Sequence, residues 1–187
     1  MNPFFELFFL LFDLYTMVVL LRFFMQYFRV DYYNPFSQFV VKLTDPLIKP
    51  LRKMIPGFAG IDWSSMLLSY AFIMLKLLLL LGLVGALGQM GVIAIILQSL
   101  LNLSLSIINL FTYLILIRVI LSWVSPGGYS PVALLFSQLT EPLIRPFRQL
   151  LPSSGGMDFS PMLAGIALFF LGRLLGYYVQ PLISGIS

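Results

Sequence analysis

An arginine followed ten residues later by an aspartate occurs twice in this chain, as Arg52 with Asp62 and as Arg148 with Asp158. Opposite charges at this spacing can form an ion pair, and the arginines can instead bind lipid phosphates. Two aspartates can also share a proton in a catalytic dyad, but only within one helix-lined cavity. Both aspartates stand directly before an apolar run, at a predicted helix start, so we expect no catalysis and no enzyme.

Both pairs belong to a longer repeated segment. Residues 44–67 and 140–163 align without a gap at an offset of 96, with 12 identities in 24 positions. A fixed offset over most of a chain indicates one unit that has been duplicated and fused. We therefore predict two repeats, 1–91 and 92–187. The candidate site residues are the repeated motif positions Pro46, Arg52, Pro56, Gly60 and Asp62, with Pro142, Arg148, Pro152, Gly156 and Asp158.

The composition is that of a membrane protein, with 60% hydrophobic and only 10% charged residues. A helix needs roughly 20 apolar residues to cross a bilayer, and four runs are long enough: 4–28, 63–87, 92–124 and 159–183. The first run has no Lys or Arg before it and is expected to be retained as a membrane helix. The predicted fold class is an all-α membrane protein with four transmembrane helices in two parallel repeats.

Each predicted repeat has the order helix, cytoplasmic amphipathic Pro-rich loop, helix, with the loops at 29–62 and 125–158. Nine of the eleven Lys and Arg residues lie in or next to these loops. The positive-inside rule therefore predicts that both loops are cytoplasmic and that both chain termini are outside. Because each repeat crosses the membrane twice, both loops share one side and the repeats are parallel.

The loop motif combines prolines with apolar and basic residues. Thr44 or Asp45 is expected to cap a helix that starts at Pro46, and Pro50 is expected to end or kink it early. This predicts a short, broken amphipathic element in the headgroup layer. In the favoured interpretation the basic residues face lipid phosphates while Asp62 caps the next helix. In the alternative, the Arg–Asp pairs fold each loop back as a partner-binding platform.

Arg22 and Arg118 are equivalent in the two repeats and are predicted roughly 10 Å inside the cytoplasmic boundary. Snorkelling to the lipid phosphates is the favoured interpretation of these arginines. The alternative is a buried contact at the symmetric centre of the bundle.

Asp13 and Lys76 are predicted at the same depth, about 20–25 Å from the cytoplasmic side. Charges so deep are costly unless paired or hydrated, so an ion pair between them is the favoured interpretation. An ion or solute path and snorkelling to the outer interface are the alternatives. The second repeat breaks the symmetry, since Asn109 and Gly172 stand at the equivalent positions and Arg173 follows one residue later.

The second repeat has three further features. Its first run is 33 residues, roughly 50 Å as a helix, so 92–99 is expected to be an interfacial entry segment or a tilted extension. The pattern Gly172-x-x-x-Gly176 permits close helix contact and is a weak signal for a homo-oligomer. A polar group that does not recur in the first repeat lies on the same run: Asn102, Ser104, Ser106 and Asn109.

The chain contains no Cys and no His. This excludes disulfides, His or Cys zinc sites, His-ligated haem and the Ser-His and Cys-His catalytic pairs. We expect no cofactor, no metal and no direct nucleic-acid partner.

The segments 34–66 and 130–162, with their doubled DPLI-P-R-P-G-D pattern, resemble the YggT family of integral membrane proteins. The resemblance covers nearly the whole chain and implies the two-repeat form found in the bacterial inner membrane, without known catalysis. It links plastid relatives to cytochrome complex assembly and nucleoid distribution. It links bacterial relatives to cell-division regions and to osmotic stress tolerance with altered potassium handling. The motif residues carry over as motif positions only.

Two function hypotheses follow. In the first, the protein is a non-enzymatic accessory or scaffold factor that presents two basic loops to a membrane-protein partner and to anionic lipid headgroups. In the second, it is a transporter or channel component for ions such as potassium or for osmolytes. The scaffold is favoured because the repeated residues lie at the predicted cytoplasmic interface, whereas transport sites more often lie near the membrane midplane.

Overall fold

The structure is a computed structural model that describes residues 2–55, 57–58, 60–124, 130–150 and 158–185. The described residues form six helices: α1 (Pro3–Tyr27), α2 (Pro35–Met54), α3 (Trp63–Leu83), α4 (Val92–Val124), α5 (Pro131–Leu150) and α6 (Ser160–Ser184). Four of them, α1, α3, α4 and α6, are long and apolar enough to cross a membrane. The predicted all-α multi-pass membrane fold is confirmed.

The helix starts in the first repeat follow local rules. Asn2 and Asn34 each accept a hydrogen bond from a backbone N–H two residues on, and each is followed by a proline at the first helical position. Asparagine at the cap and proline at the first turn are both favoured, because the first N–H groups of a helix have no internal partner. Asp62 caps α3 in the same way by accepting from the backbone N–H of Ser65.

The structure corrects the prediction for α2. The helix does not start at Pro46 or break at Pro50, but runs unbroken from Pro35 to Met54. Both prolines lie on the exposed side of the helix. The hydrogen bonds that they cannot donate, and the clashes of their rings with the preceding turn, are therefore on the side away from the packed face. Thr44 is inside the helix, not a cap, and donates its hydroxyl hydrogen to the carbonyl of Val40.

The same correction holds for the second repeat. The helix α5 contains Pro142 and Pro146, which are also exposed. The predicted Pro-rich loops are therefore mostly 20-residue helices in both repeats.

The two repeats meet through α2 and α5, which lie at the same end of the bundle. The side-chain amide of Asn34 donates to the carbonyl of Pro131, and the rings of Phe36 and Phe136 have centroids 5.6 Å apart. We call this end the loop face. Its position confirms that the two repeats are parallel.

A buried apolar cluster lies directly beneath the loop face and joins the two repeats. Its members come from α1, α2, α4 and α5: Leu20, Leu21, Met25, Val40, Leu110, Phe111, Leu114, Leu135, Phe136 and Leu139. Between spanning helices such packing stabilises through van der Waals contact and not through transfer from water. This cluster therefore holds α2 and α5 in fixed positions against the spanning helices.

The helix α4 is continuous over all 33 residues. Ala94, in its first turn, belongs to a buried cluster with Ile183 in the last turns of α6. Residues 92–99 are therefore a packed extension of the spanning helix and not a separate entry segment.

Candidate functional site

The most buried basic residue of the loop face in the described part of the chain is Arg22, near the end of α1, with 5% of its surface exposed. Its Nη1 donates to Oγ1 of Thr44 at 2.7 Å, to Oδ1 of Asp45 at 2.8 Å and to the carbonyl of Val41 at 3.2 Å. Its Nε lies 3.9 Å from Oδ2 of Asp62. One guanidinium thus connects the first spanning helix to α2 and to the start of α3.

The second arginine of this cluster is Arg52, near the end of α2. Its Nη2 donates to Oδ2 of Asp62 and, at 2.9 Å, to Oε1 of Gln26, and its Nε lies 3.4 Å from Oδ1 of Asp62. The carboxylate of Asp62 is wholly buried and also accepts from the hydroxyl of Ser65. We call Arg22, Thr44, Asp45, Arg52 and Asp62 the first cluster.

The carboxylates of the first cluster are held ionised. Burial alone would raise the pKa of Asp62, but hydrogen bonds from Arg52 and Ser65 outweigh it and lower the pKa below its usual value. Burial likewise opposes ionisation of Asp45, yet hydrogen bonds from Lys49 and Arg22 lower its pKa.

The second repeat contains an equivalent set of contacts, which we call the second cluster: Arg118, Thr140, Glu141, Arg148 and Asp158. Nη1 of Arg118 donates to Oγ1 of Thr140 at 2.9 Å, and its Nη2 donates to Oε2 of Glu141 at 2.9 Å. Arg148 binds Asp158 through Nε at 3.1 Å and Nη2 at 3.0 Å. The arginine–threonine and arginine–carboxylate contacts of the first cluster therefore recur in the second repeat.

The two clusters differ in connectivity and exposure. Glu141 is one methylene longer than Asp45 and reaches both Arg118 and Arg148, whereas Asp45 pairs with Arg22 and Lys49. The side chain of Asp158 is 44% exposed, while that of Asp62 is wholly buried. Removing one partner should therefore cost more in the first cluster than in the second, because the charge left behind is less exposed to solvent.

These contacts decide between the sequence interpretations. The predicted pairs Arg52–Asp62 and Arg148–Asp158 are confirmed, and Asp62 is confirmed as a helix cap. Snorkelling was wrong for Arg22, because its Nη1 is hydrogen-bonded within the protein. The alternative of a buried contact is confirmed for Arg22, but its contacts lie within the first repeat and not at a symmetric centre of the bundle.

The sequence interpretation missed the threonines and the acids that follow them. Thr44, Thr140, Asp45 and Glu141 bind the intramembrane arginines directly. The signal was present, because an arginine precedes a threonine by 22 residues in both repeats. Reading it required knowing that α2 already begins at Pro35, before Thr44, and packs against α1.

The remaining motif positions have different outcomes. Pro46 and Pro142 lie on the exposed side of their helices. Gly60 has a φ of 78°, a conformation that favours glycine, and its carbonyl lies 3.4 Å from Nε2 of Gln26. Three predicted site residues lie outside the described part of the chain: Pro56, Pro152 and Gly156.

The predicted intramembrane pair is confirmed, since Nζ of Lys76 on α3 donates to Oδ1 and Oδ2 of Asp13 on α1 at 2.5 and 2.6 Å. The second repeat packs differently at this depth. Gly172 on α6 stands at the position equivalent to Lys76 on α3. A Cβ added to Gly172 would lie 3.4 Å from the side chain of Ile108, so α6 and α4 approach each other closely there. Arg173, next to it, places its guanidinium carbon 5.3 Å from the ring centroid of Phe169.

Few of the polar side chains of α4 contact another helix. Nε2 of Gln98 lies 3.3 Å from Oδ1 of Asn102 and 3.4 Å from Oε1 of Gln180 on α6, while Ser104 bonds back to the carbonyl of Leu100. Of the predicted polar group, only Asn102 is seen in a side-chain contact with another polar residue. Asn109 is exposed on α4.

The fold and the two clusters define a class of multi-pass membrane protein: two parallel repeats, each with two spanning helices and an amphipathic helix held to one end by a buried arginine. The family model described as CCB3/YggT matches residues 1–84 and 92–179, and the chain belongs to this family.

Relatives match in both one-repeat and two-repeat lengths. The protein YggT of Escherichia coli (strain K12) is 43% identical over 168 residues, which is 90% of this chain and 86% of the relative. A Pseudomonas aeruginosa protein is 43% identical over 163 residues, 87% of this chain and 83% of the relative. The protein ycf19 of Cyanidium caldarium is 31% identical over 84 residues, which is 44% of this chain but 92% of the relative. No solved structure matches the chain significantly.

Proposed function

We propose that this protein is a non-enzymatic accessory or scaffold factor of the bacterial inner membrane with a role in osmotic stress tolerance. In this proposal the loop face is cytoplasmic and binds a membrane-protein partner together with anionic lipid headgroups. The observation that carries the proposal is the duplicated arginine cluster. Both repeats use ion pairs and a threonine contact to hold an amphipathic helix across one end of the bundle, which suits a preorganised binding surface.

The exposed side of the loop face supports this proposal. Met54 and Leu150 occupy equivalent positions at the ends of α2 and α5, and both are exposed, as are Tyr33 and Phe58. Apolar side chains beside Lys and Arg suit a helix in the headgroup layer, and aromatic residues and methionine are favoured in protein interfaces. The loop face therefore combines features that fit lipid with features that fit a protein partner.

The orientation is part of the proposal. The basic residues concentrate at the loop face, and Lys and Arg favour the cytoplasmic side of a bacterial inner membrane. Both chain termini are then periplasmic.

Affinity purification in mild detergent tests the scaffold, with partners identified by mass spectrometry and two double variants compared. Arg52→Ala with Arg148→Ala removes the ion pairs, whereas Met54→Ala with Leu150→Ala changes only exposed side chains and leaves both clusters intact. We expect both variants to lose the partner and the osmotic phenotype. We expect the second variant to keep the thermal unfolding midpoint of the wild type, which separates partner binding from folding.

A transporter or channel component is the second candidate, and the Asp13–Lys76 pair within the spanning helices is the observation that favours it. It predicts potassium flux through purified protein in proteoliposomes. Flux that is abolished by Asp13→Asn and unchanged by the Met54 and Leu150 variant would overturn the scaffold and support the transporter.

A further inference from the structure

A cleft of about 460 Å³ opens at the loop face between the end of α1 and the middle of α2. Its walls carry four basic side chains, Arg22, Arg29, Lys49 and Arg52, and one carboxylate, Asp45. The second cluster lies in the other repeat and contributes none of these residues. A concave site with this excess of positive charge attracts an anion.

The four basic groups have different degrees of freedom. Arg22 and Arg52 are held in place by Asp45 and Asp62, whose carboxylates offset their charge, so the positive excess of the cleft comes from Arg29 and Lys49. Lys49 has a side chain that is 73% exposed, and its pairing with Asp45 is a surface contact one helical turn apart. Such surface pairs contribute little, so the ammonium can turn to a ligand at small cost.

Arg29 is the residue most available to a ligand. It lies just past the end of α1, lines the cleft, and forms no ion pair with a carboxylate in the described residues. Its φ is 54°, and it is the one non-glycine residue with a positive φ among the residues that the structure describes. This conformation ends α1, because the N–H of Val30 then bonds to the carbonyl of Met25 and the N–H of Arg29 to that of Gln26.

The chemistry of the cleft fits a phosphate group. The planar fork of a guanidinium matches two phosphate oxygens at once, and a lysine adds a mobile point charge. The floor is apolar, with Met25, Val30 and Val41, which suits the carbon atoms next to the phosphate. A volume of about 460 Å³ lies within the range of small-molecule sites.

We propose that this cleft is a binding site for a phosphate ester in the first repeat alone, with Arg29 and Lys49 as the residues that close on the phosphate. The ligand is either the headgroup phosphate of an anionic lipid or a soluble phosphate ester. At the offset of 96, Ser125 replaces Arg29 and Gly128 replaces Tyr32, which also lines the cleft. The second repeat keeps basic residues at the other three positions, as Arg118, Arg145 and Arg148, but has none in place of Arg29, the residue most available to a ligand.

The proposal rests on the proposed function only in placing the loop face at the headgroup layer. Its test uses purified protein without any partner, so its failure and the failure of the scaffold are separate results. Native mass spectrometry of the full chain in neutral detergent measures binding of phosphatidylglycerol and phosphatidylcholine. Thermal unfolding with and without inorganic phosphate measures a soluble ligand.

The test variant is Arg29→Gln with Lys49→Gln, which empties the cleft of its two available charges. The matched control is Lys42→Gln with Lys53→Gln, because both lysines are exposed on α2, neither lines the cleft, and the net charge falls equally. We expect the test variant to lose about tenfold or more in affinity for the phosphate ligand, the effect of losing charge-assisted hydrogen bonds. The control should change by less than about twofold.

Each outcome decides the proposal. A preference for phosphatidylglycerol that only the test variant loses supports a lipid headgroup as ligand. Stabilisation by inorganic phosphate that only the test variant loses, without a lipid preference, supports a soluble phosphate ester. Equal losses in both variants would show that net charge alone attracts lipid, and would overturn the site. Absence of both effects in the wild type would overturn it as well.

Discussion

Nη1 of Arg22 lies 2.7 Å from Oγ1 of Thr44, and the same atoms of Arg118 and Thr140 lie 2.9 Å apart. In both repeats the threonine hydroxyl also donates to the carbonyl one turn earlier on its own helix. A hydroxyl can accept and donate at once, so it satisfies a buried guanidinium without leaving its own hydrogen unpaired. This relay fixes each amphipathic helix to a spanning helix.

The first prediction concerns Arg22. Arg22→Met should lower the free energy of unfolding by up to about 3 kcal/mol, because it removes the guanidinium that Thr44 and Asp45 bind. Asp62 keeps its hydrogen bonds from Arg52 and Ser65, so it is not left as an unpaired buried charge. Arg118→Met should cost less, since the side chain of Arg118 is 17% exposed and that of Arg22 is 6% exposed. Reversible unfolding of the purified protein in detergent measures both. Equal losses in the two variants would contradict the burial argument.

The second prediction concerns the pair of Asp13 and Lys76. Removing either charge strands the other within the spanning helices, at a cost of up to about 3 kcal/mol. Asp13→Asn combined with Lys76→Met should then be less harmful than the sum of the single changes. A double-mutant cycle on unfolding free energies measures the coupling, which we expect to exceed about 1 kcal/mol. Additive costs would mean that the two charges do not stabilise each other.

The third prediction concerns orientation. The chain has no cysteine, so a single introduced thiol can be labelled without background. Tyr33→Cys lies on the loop face and Gln89→Cys lies in the turn between the repeats, and both residues are exposed. In intact cells an impermeant maleimide should label position 89 and not position 33. Labelling of position 33 from outside would reverse the proposed orientation.

The fourth prediction concerns pH. The carboxyls of Asp45, Asp62, Glu141 and Asp158 have lowered pKa values in the folded protein. The unfolded chain then takes up protons first as the pH falls. The stability from these pairs is therefore complete above the usual carboxyl range and is lost below about pH 4, as the pH falls through the folded pKa values.

Thermal unfolding between pH 3 and pH 8 checks this prediction. Without histidine or cysteine the chain has no side chain that ordinarily titrates between pH 5 and pH 8, so the midpoint should be flat there. Asp62→Asn should reduce the decline below pH 4. A large loss of stability between pH 7 and pH 5 would show that other groups control it.

Much of the fold was determined by the sequence alone. Long apolar runs specify spanning helices because the bilayer leaves backbone groups no partner outside the chain. The fixed offset of 96 specifies the duplication. The pairs Arg52–Asp62 and Asp13–Lys76 were predictable because an isolated charge near or within a membrane is costly. An opposite charge at the same predicted depth, or at the repeated spacing, can remove that cost by forming an ion pair.

Only the tertiary structure decided the course of α2 and the fate of Arg22. Local rules disfavour a helix that continues through Pro46 and Pro50. Both prolines fall on the exposed side of α2, however, and the opposite side is held by the buried residues Val40, Thr44 and Ile48, so the helix stays continuous. The start of α2 at Pro35, ahead of the prolines, places Thr44 and Asp45 beside Arg22, and the contacts there outweigh snorkelling. Such contacts depend on where distant segments pack, which residue type and spacing along one chain do not specify.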